Sequence, residues 1–163
     1  MKKILILSTG GTFNKHYSEK SGEIAIDTEA STLKELAKKW RTDFEIGTII
    51  GKDSLDMDDT DRALLLETIR QSNYKDIIVI HGTDTIDLSA QVIDAAKLSK
   101  RVIFTGAMIP YRVDKVEATA NVAMAYGYLQ SHITDGTYIS MNGVIGTFDQ
   151  VIKNREAKRF ELV

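Results

Sequence analysis

Short apolar runs that end in turns bearing glycine and threonine constrain this chain more than any other feature. Ile4-Leu5-Ile6-Leu7 has no polar break and stops at Ser8-Thr9-Gly10-Gly11-Thr12. Ile77-Ile78-Val79-Ile80 stops in the same manner at His81-Gly82-Thr83-Asp84-Thr85, and Val102-Ile103-Phe104 stops at Thr105-Gly106-Ala107-Met108. An unalternating apolar run reads as a strand covered on both faces, the mark of a parallel sheet. In open sheets of that kind, ligands bind beyond the carboxyl ends of the strands. Glycines there let the backbone bend sharply and approach a ligand, and the threonines add hydroxyls.

The segments between these runs supply the helices a parallel sheet needs. Leu33, Leu36, Ala37 and Trp40 recur at i, i+3, i+4 and i+7, an amphipathic helix. Asp58, with Asp61 three residues on, opens a second helix that turns Leu65, Leu66 and Ile69 inward. A third follows Thr85 and is expected to bury Leu88, Val92 and Ala95, and Val116 to Leu129 forms an alanine-rich fourth. Phe44 to Ile50 and Thr137 to Met141 read as further main strands, and Glu23 to Ile26 as a short one. The polar stretch Phe13 to Gly22 is expected to be a mobile loop, Gly51 to Met57 another loop, and lone Pro110 sits in a third. The expected fold is α/β: a mostly parallel, flavodoxin-like three-layer sheet with helices on both faces, built as one domain over residues 1–163.

Composition removes several function classes. The formal net charge is −2, with no basic excess to suit nucleic acid. Cysteine is absent, so neither disulfides nor thiol chemistry arises. His16, His81 and His132 lack metal-ligand spacing, and neither a metal nor an organic cofactor is expected. No apolar stretch is long enough to span a membrane. Met1-Lys2-Lys3 precedes an apolar run too short for a signal peptide, so a cytoplasmic location is expected.

The chemistry centres on hydroxyls. A threonine attacks only with a base in hydrogen-bond reach, and attack on an amide also needs donors for the developing oxyanion. Thr12, beside Gly10 and Gly11, suits a nucleophile, and Thr83 with Asp84 adds a second hydroxyl and a carboxylate. Alternatively, Thr9 and Thr12 merely cap a helix. A third reading has Ser8 to Thr12 cradling the phosphate of a flavin or nucleotide, as in flavodoxin-like binding proteins.

The ordered pair Thr9-Gly10-Gly11-Thr12 and His81-Gly82-Thr83-Asp84-Thr85 resembles the two signature segments of the bacterial-type L-asparaginases. Ser54-Leu55-Asp56-Met57 is similar to the family's Ser-Gln-Asp-Met loop, with Leu55 in place of glutamine. Thr105 to Met108 resembles its Gly-Ala-Met turn, and Met141-Asn142 starts a stretch reaching Lys153 at the spacing of the family's catalytic lysine. The likeness covers the family's N-terminal domain, and the chain looks most like the short, single-domain members. It implies hydrolysis of L-asparagine to L-aspartate and ammonia. Thr12 would be the first nucleophile, assisted by a loop tyrosine for which Tyr17 is the candidate. Thr83, Asp84 and Lys153 would form the second catalytic group. Asp84 would also take the substrate's ammonium and Ser54 its carboxylate, with Gly11, Leu55, Gly82 and Ala107 lining the substrate. Burial of Lys153 would lower its pKa and the Asp84 carboxylate would raise it. Taken alone, Lys153 to Arg159 is a charged run of the kind that forms a solvated face. Two-domain relatives complete the site from a neighbouring subunit, so a homodimer or higher oligomer is expected here. A non-catalytic amide-binding domain is the remaining alternative.

Overall fold

The computed structural model describes residues 2–42 and 44–163. In chain order its strands are β1 (Ile4–Gly10), β2 (Lys15–Ser18), β3 (Glu23–Ile26), β4 (Glu45–Lys52), β5 (Asp76–Ile80), β6 (Arg101–Thr105), β7 (Gly136–Met141), β8 (Val144–Thr147), β9 (Val151–Asn154) and β10 (Arg159–Leu162). Its helices are α1 (Ser31–Trp40), α2 (Asp59–Gln71), α3 (Ile86–Ala95) and α4 (Lys115–Gln130).

β1 lies inside the main sheet because both of its faces are apolar. It pairs in parallel with β4 on one side and β5 on the other. β6 and β7 continue the parallel ladder, and β8 returns antiparallel along β7. The order is β4-β1-β5-β6-β7-β8. Numbering only the five parallel strands, this is 2-1-3-4-5, the flavodoxin-like order, with its switch point between β1 and β5. The fold class therefore stands as expected.

Successive side chains on a strand point to opposite faces. Ile4, Ile6, Ile78, Ile80 and Ile103 meet α1 and α4 through Leu33, Leu36, Val122 and Leu129. Leu5, Leu7, Ile77, Val79, Val102 and Phe104 meet α2 and α3 through Leu65, Ile69, Ala90 and Ile93. Unbroken apolar runs are thus required, because each strand serves two cores. The start of α2 is fixed by a capping box: the Asp58 carboxylate accepts from Asp61 N, and the Asp61 carboxylate accepts from Asp58 N.

Three expectations need correction. α3 buries Ile86, Ser89, Ala90 and Ile93, while Leu88 is 47% exposed. Leu88, Val92 and Ala95 have the spacing i, i+4, i+7, and so do Ile86, Ala90 and Ile93. Periodicity gives a helix but cannot choose between two stripes of equal period; docking on the sheet chooses. The stretch from Phe13 to Gly22 is not an irregular loop. Phe13 is fully buried against Tyr111, and β2 pairs antiparallel with β3, Lys15 opposite Ile26. Asn14 fixes the hairpin's base, its Nδ2 donating to Ser8 Oγ at 3.0 Å and to Gly10 O at 2.7 Å. This hairpin lies outside the main sheet, so its strands carry little apolar alternation. Finally, the charged run after Val151 is not simply a solvated face. β9 and β10 form a second hairpin, anchored by buried Val151 and Phe160 in the α2–α3 core.

Candidate active site

Three loops meet at the switch point. Gly11 follows β1 with φ +75°, and a Cβ there would lie 2.5 Å from Gly82 N. Gly82 follows β5, and a Cβ there would lie 2.6 Å from Ser54 Cβ. The backbones of the β1 and β5 loops and the Ser54 side chain therefore touch where no side chain fits, which is why these two positions are glycine. Sequence-predicted Gly11, Gly82 and Ser54 are brought together by this contact.

Hydrogen bonds from the strands and α2 hold the loops in place. Thr9 Oγ1 donates to Ile80 O at 3.0 Å, so this threonine joins β1 to β5. His81 is fully buried, and its N–H donates to Thr105 O at 2.9 Å. Its Nδ1 faces Gly82 O at 2.7 Å and must carry the proton, since a carbonyl only accepts. Its Nε2 then accepts from Ser89 Oγ at 2.7 Å. Burial pushes the imidazole pKa down to about 4. Below the Ser54 loop, buried Arg62 donates to Met57 O at 3.1 Å and to Thr85 Oγ1 at 3.2 Å, and Thr85 Oγ1 donates to Ser54 O at 2.9 Å.

The second hairpin closes the site. Lys153 Nζ stands 2.8 Å from Thr83 Oγ1 and 2.8 Å from Asp84 Oδ1. Arg155 adds a second cation, with Nη1 2.6 Å from Asp84 Oδ1 and Nη2 donating to Asp84 O at 3.2 Å. The Lys153 hydrogen bond foremost, then that of Arg155, holds the Asp84 carboxyl below the usual carboxylate range. Thr83, Asp84 and Lys153, separated by up to 70 residues in sequence, thus form one hydroxyl–carboxylate–ammonium cluster. With Arg155, Asp149 and Phe160 they line a cavity of about 390 Å³.

The other expected residues fall as follows. Thr12 is half-buried and begins a short 3-10 turn, Thr12–Asn14, whose N-cap position is Gly11. The Gly11 N–H donates to Lys52 O at 2.9 Å and is not available to an oxyanion. Ser54 is buried, and its Oγ has no hydrogen-bond partner among the described residues. Leu55 is 70% exposed. Ala107 is buried, in a loop whose Met108 and Ile109 N–H groups are both held by the Glu117 carboxylate. Tyr17 is not gathered with the Lys153 cluster. It is 62% exposed on β2 and lines a separate groove of about 540 Å³ with Ile24, Arg112 and Val113. After β1 the chain enters a 3-10 turn and a hairpin, so the helix N-terminus that a phosphate cradle uses is lacking there. Among the described residues, no cluster of His, Cys, Asp or Glu is grouped to hold a metal, and no helix is long and apolar enough to cross a membrane.

Several residues escaped sequence reasoning. Arg62 carried a signal: it lies at i−3 from Leu65, inside the inward stripe of α2, where an arginine needs a reason. Lys15 reaches across to Asp53 at 2.6 Å and ties the first hairpin to the Ser54 loop. Its hydrogen bond is the main reason the Asp53 carboxyl is held below its usual range. Nothing local to Lys15, Arg155 or Glu117 announces these contacts, which all form between distant segments.

The model of the asparaginase N-terminal domain family matches residues 3–161. No curated protein sequence matches the chain. Among solved structures, the thermostable L-asparaginase from Thermococcus kodakarensis superposes with a TM-score of 0.86 at 24% identity, covering 99% of this chain and 51% of that one. The probable cytoplasmic L-asparaginase from Campylobacter jejuni gives 0.82 at 23%, covering 99% and 54%. L-asparaginase I from Vibrio cholerae gives 0.82 at 22%, covering 99% and 52%. At these identities the likeness establishes the fold. The chain spans about half the length of each of these proteins.

Proposed function

The chain belongs to the asparaginase family, and from that premise we propose that it hydrolyses L-asparagine to L-aspartate and ammonia through a threonine nucleophile. One observation carries the reading: Lys153 Nζ stands 2.8 Å from both Thr83 Oγ1 and Asp84 Oδ1, beside the contact of Gly11 with Gly82. A phosphate-binding loop has no use for that cluster.

Thr12 Oγ attacks the side-chain carbonyl carbon of asparagine. The tetrahedral intermediate collapses, the C–N bond breaks, and ammonia leaves with the transferred proton. Water then attacks the Thr12 ester, and aspartate departs as the Thr12 hydroxyl re-forms. In this scheme Lys153 and Thr83 hold and move the proton, and Tyr17 assists the first step if its hairpin closes over the substrate. Asp84 Oδ1 is taken by Lys153 and Arg155, and Oδ2 is the oxygen left to accept the substrate's ammonium. The Ser54 hydroxyl, buried with no hydrogen-bond partner among the described residues, suits the substrate's carboxylate. Leu55 offers that carboxylate no hydrogen bond. The charges of a bound amino acid still need partners, so the reading includes a homodimer or higher oligomer whose second copy supplies them. A cytoplasmic location, as named for the Campylobacter jejuni protein, accords with it.

Ammonia release from L-asparagine, L-glutamine and D-asparagine tests the proposal. L-asparagine is expected to be the fastest substrate, and Thr12→Ala to lose nearly all turnover while keeping its fold. A folded wild-type protein that binds L-asparagine and releases no ammonia would replace the hydrolase with the non-catalytic amide-binding reading. A Thr12→Ala variant as fast as wild type would remove the nucleophile assignment.

A further inference from the structure

Lys153 sits on a hairpin that lies outside the main sheet, so something must set where its ammonium stands. Among the described residues its own strand β9 pairs only with β10, and Lys153 is directly opposite Phe160. Two features fix Phe160. Its side chain is buried in the α2–α3 core, and its N–H donates to Asn142 Oδ1 at 3.1 Å. Asn142 stands at the corner between β7 and β8 with φ +51°, a left-handed conformation that asparagine tolerates better than most residues.

Asn142 bonds in three directions at once. Besides accepting from Phe160 N, its Nδ2 donates to Glu117 Oε1 at 3.1 Å and its own N–H donates to Asn121 Oδ1 at 2.9 Å. Those two partners hold the loop after β6. Glu117 accepts from Met108 N and Ile109 N at 3.0–3.1 Å, and Asn121 Nδ2 donates to Gly106 O at 2.9 Å. Asn121 is buried and Asn142 half-buried, where such bonds are directional and costly to leave unmade. One polar network therefore joins the Gly106–Ala107 loop on one side of the site to the strand opposite Lys153 on the other.

We propose that Asn142 is a positioning residue: it sets the placement of Lys153 against Thr83 and Asp84, and locks that placement to the Ala107 loop. This rests on the hydrolase reading above. Asn142 reaches Lys153 through the β10 backbone at Phe160, so it acts on proton transfer and not on substrate charge. Its loss shifts the lysine by a fraction of its hydrogen-bond length, and misplacement on this scale is expensive for chemistry that depends on alignment.

The test is Asn142→Gly, which keeps the positive φ and the backbone N–H bond to Asn121 Oδ1 accessible and deletes the two side-chain bonds, to Phe160 N and to Glu117. It is made in the wild-type and the Lys153→Met backgrounds, with L-asparagine as substrate. In the wild-type background kcat is expected to fall by about tenfold or more while KM stays within about threefold. In the Lys153→Met background the same change should alter the residual kcat by less than about twofold, since groups acting as one unit are non-additive. Hydrogen exchange at the Val151–Asn154 amides should speed up, with exchange in β1 and β5 unchanged. If Asn142→Gly does not fold, Asn142→Asp is read in the same cycle. It keeps an acceptor for Phe160 N and places a second carboxylate beside Glu117, and its kcat loss should likewise vanish without Lys153. An unchanged kcat, a loss confined to KM, or an equal loss in both backgrounds overturns the proposal. A wild-type protein that releases no ammonia overturns the hydrolase reading instead, and unchanged exchange in β9 of Asn142→Gly then decides against the positioning role on its own.

Discussion

Stability should fall steeply between neutral pH and pH 5 because of one buried imidazole. In the folded chain His81 titrates at about 4 against an ordinary value of 6.5, with burial the leading cause. Below pH 6.5 the unfolded chain takes up a proton that the native chain refuses, so stability falls as pH drops, and the loss is complete near pH 4. At about 1.4 kcal/mol per pH unit the whole span amounts to roughly 3 kcal/mol. By pH 5 about 2 kcal/mol of it is gone relative to pH 7. For a chain of this size that is a drop in Tm of about 4–8 °C. The carboxylates cannot mimic this. Asp84, Asp53 and Asp61 are lowered from 3.8, each chiefly by a lysine hydrogen bond, and Glu35 is lowered from 4.5 to about 2 by Lys115 foremost. Their stabilisation is present above their unfolded values and is lost only as the pH falls through the lower, folded ones. Thermal unfolding at pH 7, 6 and 5, in wild type and in His81→Gln, measures the effect. His81→Gln is expected to start less stable, because it loses the ring that packs edge-on against Phe104 at 5.8 Å, and to show a much flatter dependence. A wild-type Tm that is level from pH 7 to 5, or an equal slope in His81→Gln, would refute the reasoning.

Two further outcomes follow from the site. Lys153→Met and Asp84→Asn should each lower kcat by about a hundredfold or more, and the double variant should be no more than about threefold worse than the weaker single one. Steady-state kinetics decide it, and multiplicative losses would show that the two residues do not act as a unit. Lys15→Ala removes the ion pair to Asp53 and should speed hydrogen exchange across residues 15–26 and raise KM for L-asparagine by about threefold or more. Unchanged exchange there would show that Lys15 does not hold the hairpin to the Ser54 loop.

The parts of this protein legible in its sequence are those in which local chemistry and global fold demand the same thing. Ile4 to Leu7 and Ile77 to Ile80 had to be apolar throughout because each strand faces two cores. Their carboxyl ends had to carry Gly11 and Gly82 because two backbones and Ser54 meet there without room for a Cβ. Asp58 and Asp61 announced the start of α2 by satisfying its first N–H groups. The remainder depended on which distant surfaces meet. α3 has two stripes of equal period, and only its seat on the sheet selected Ile86, Ala90 and Ile93 over Leu88, Val92 and Ala95. The hairpin of β2 and β3 pairs outside the main sheet, so its alternation is weak and its polar residues look like a loop. Lys153 looks like any lysine in a charged run until Phe160 enters the core and draws β9 across to Thr83 and Asp84. Periodicity and turn chemistry act over a few residues and can be read along the chain. A contact spanning 70 residues leaves no local trace, because its energy arises only when the two surfaces are buried against each other.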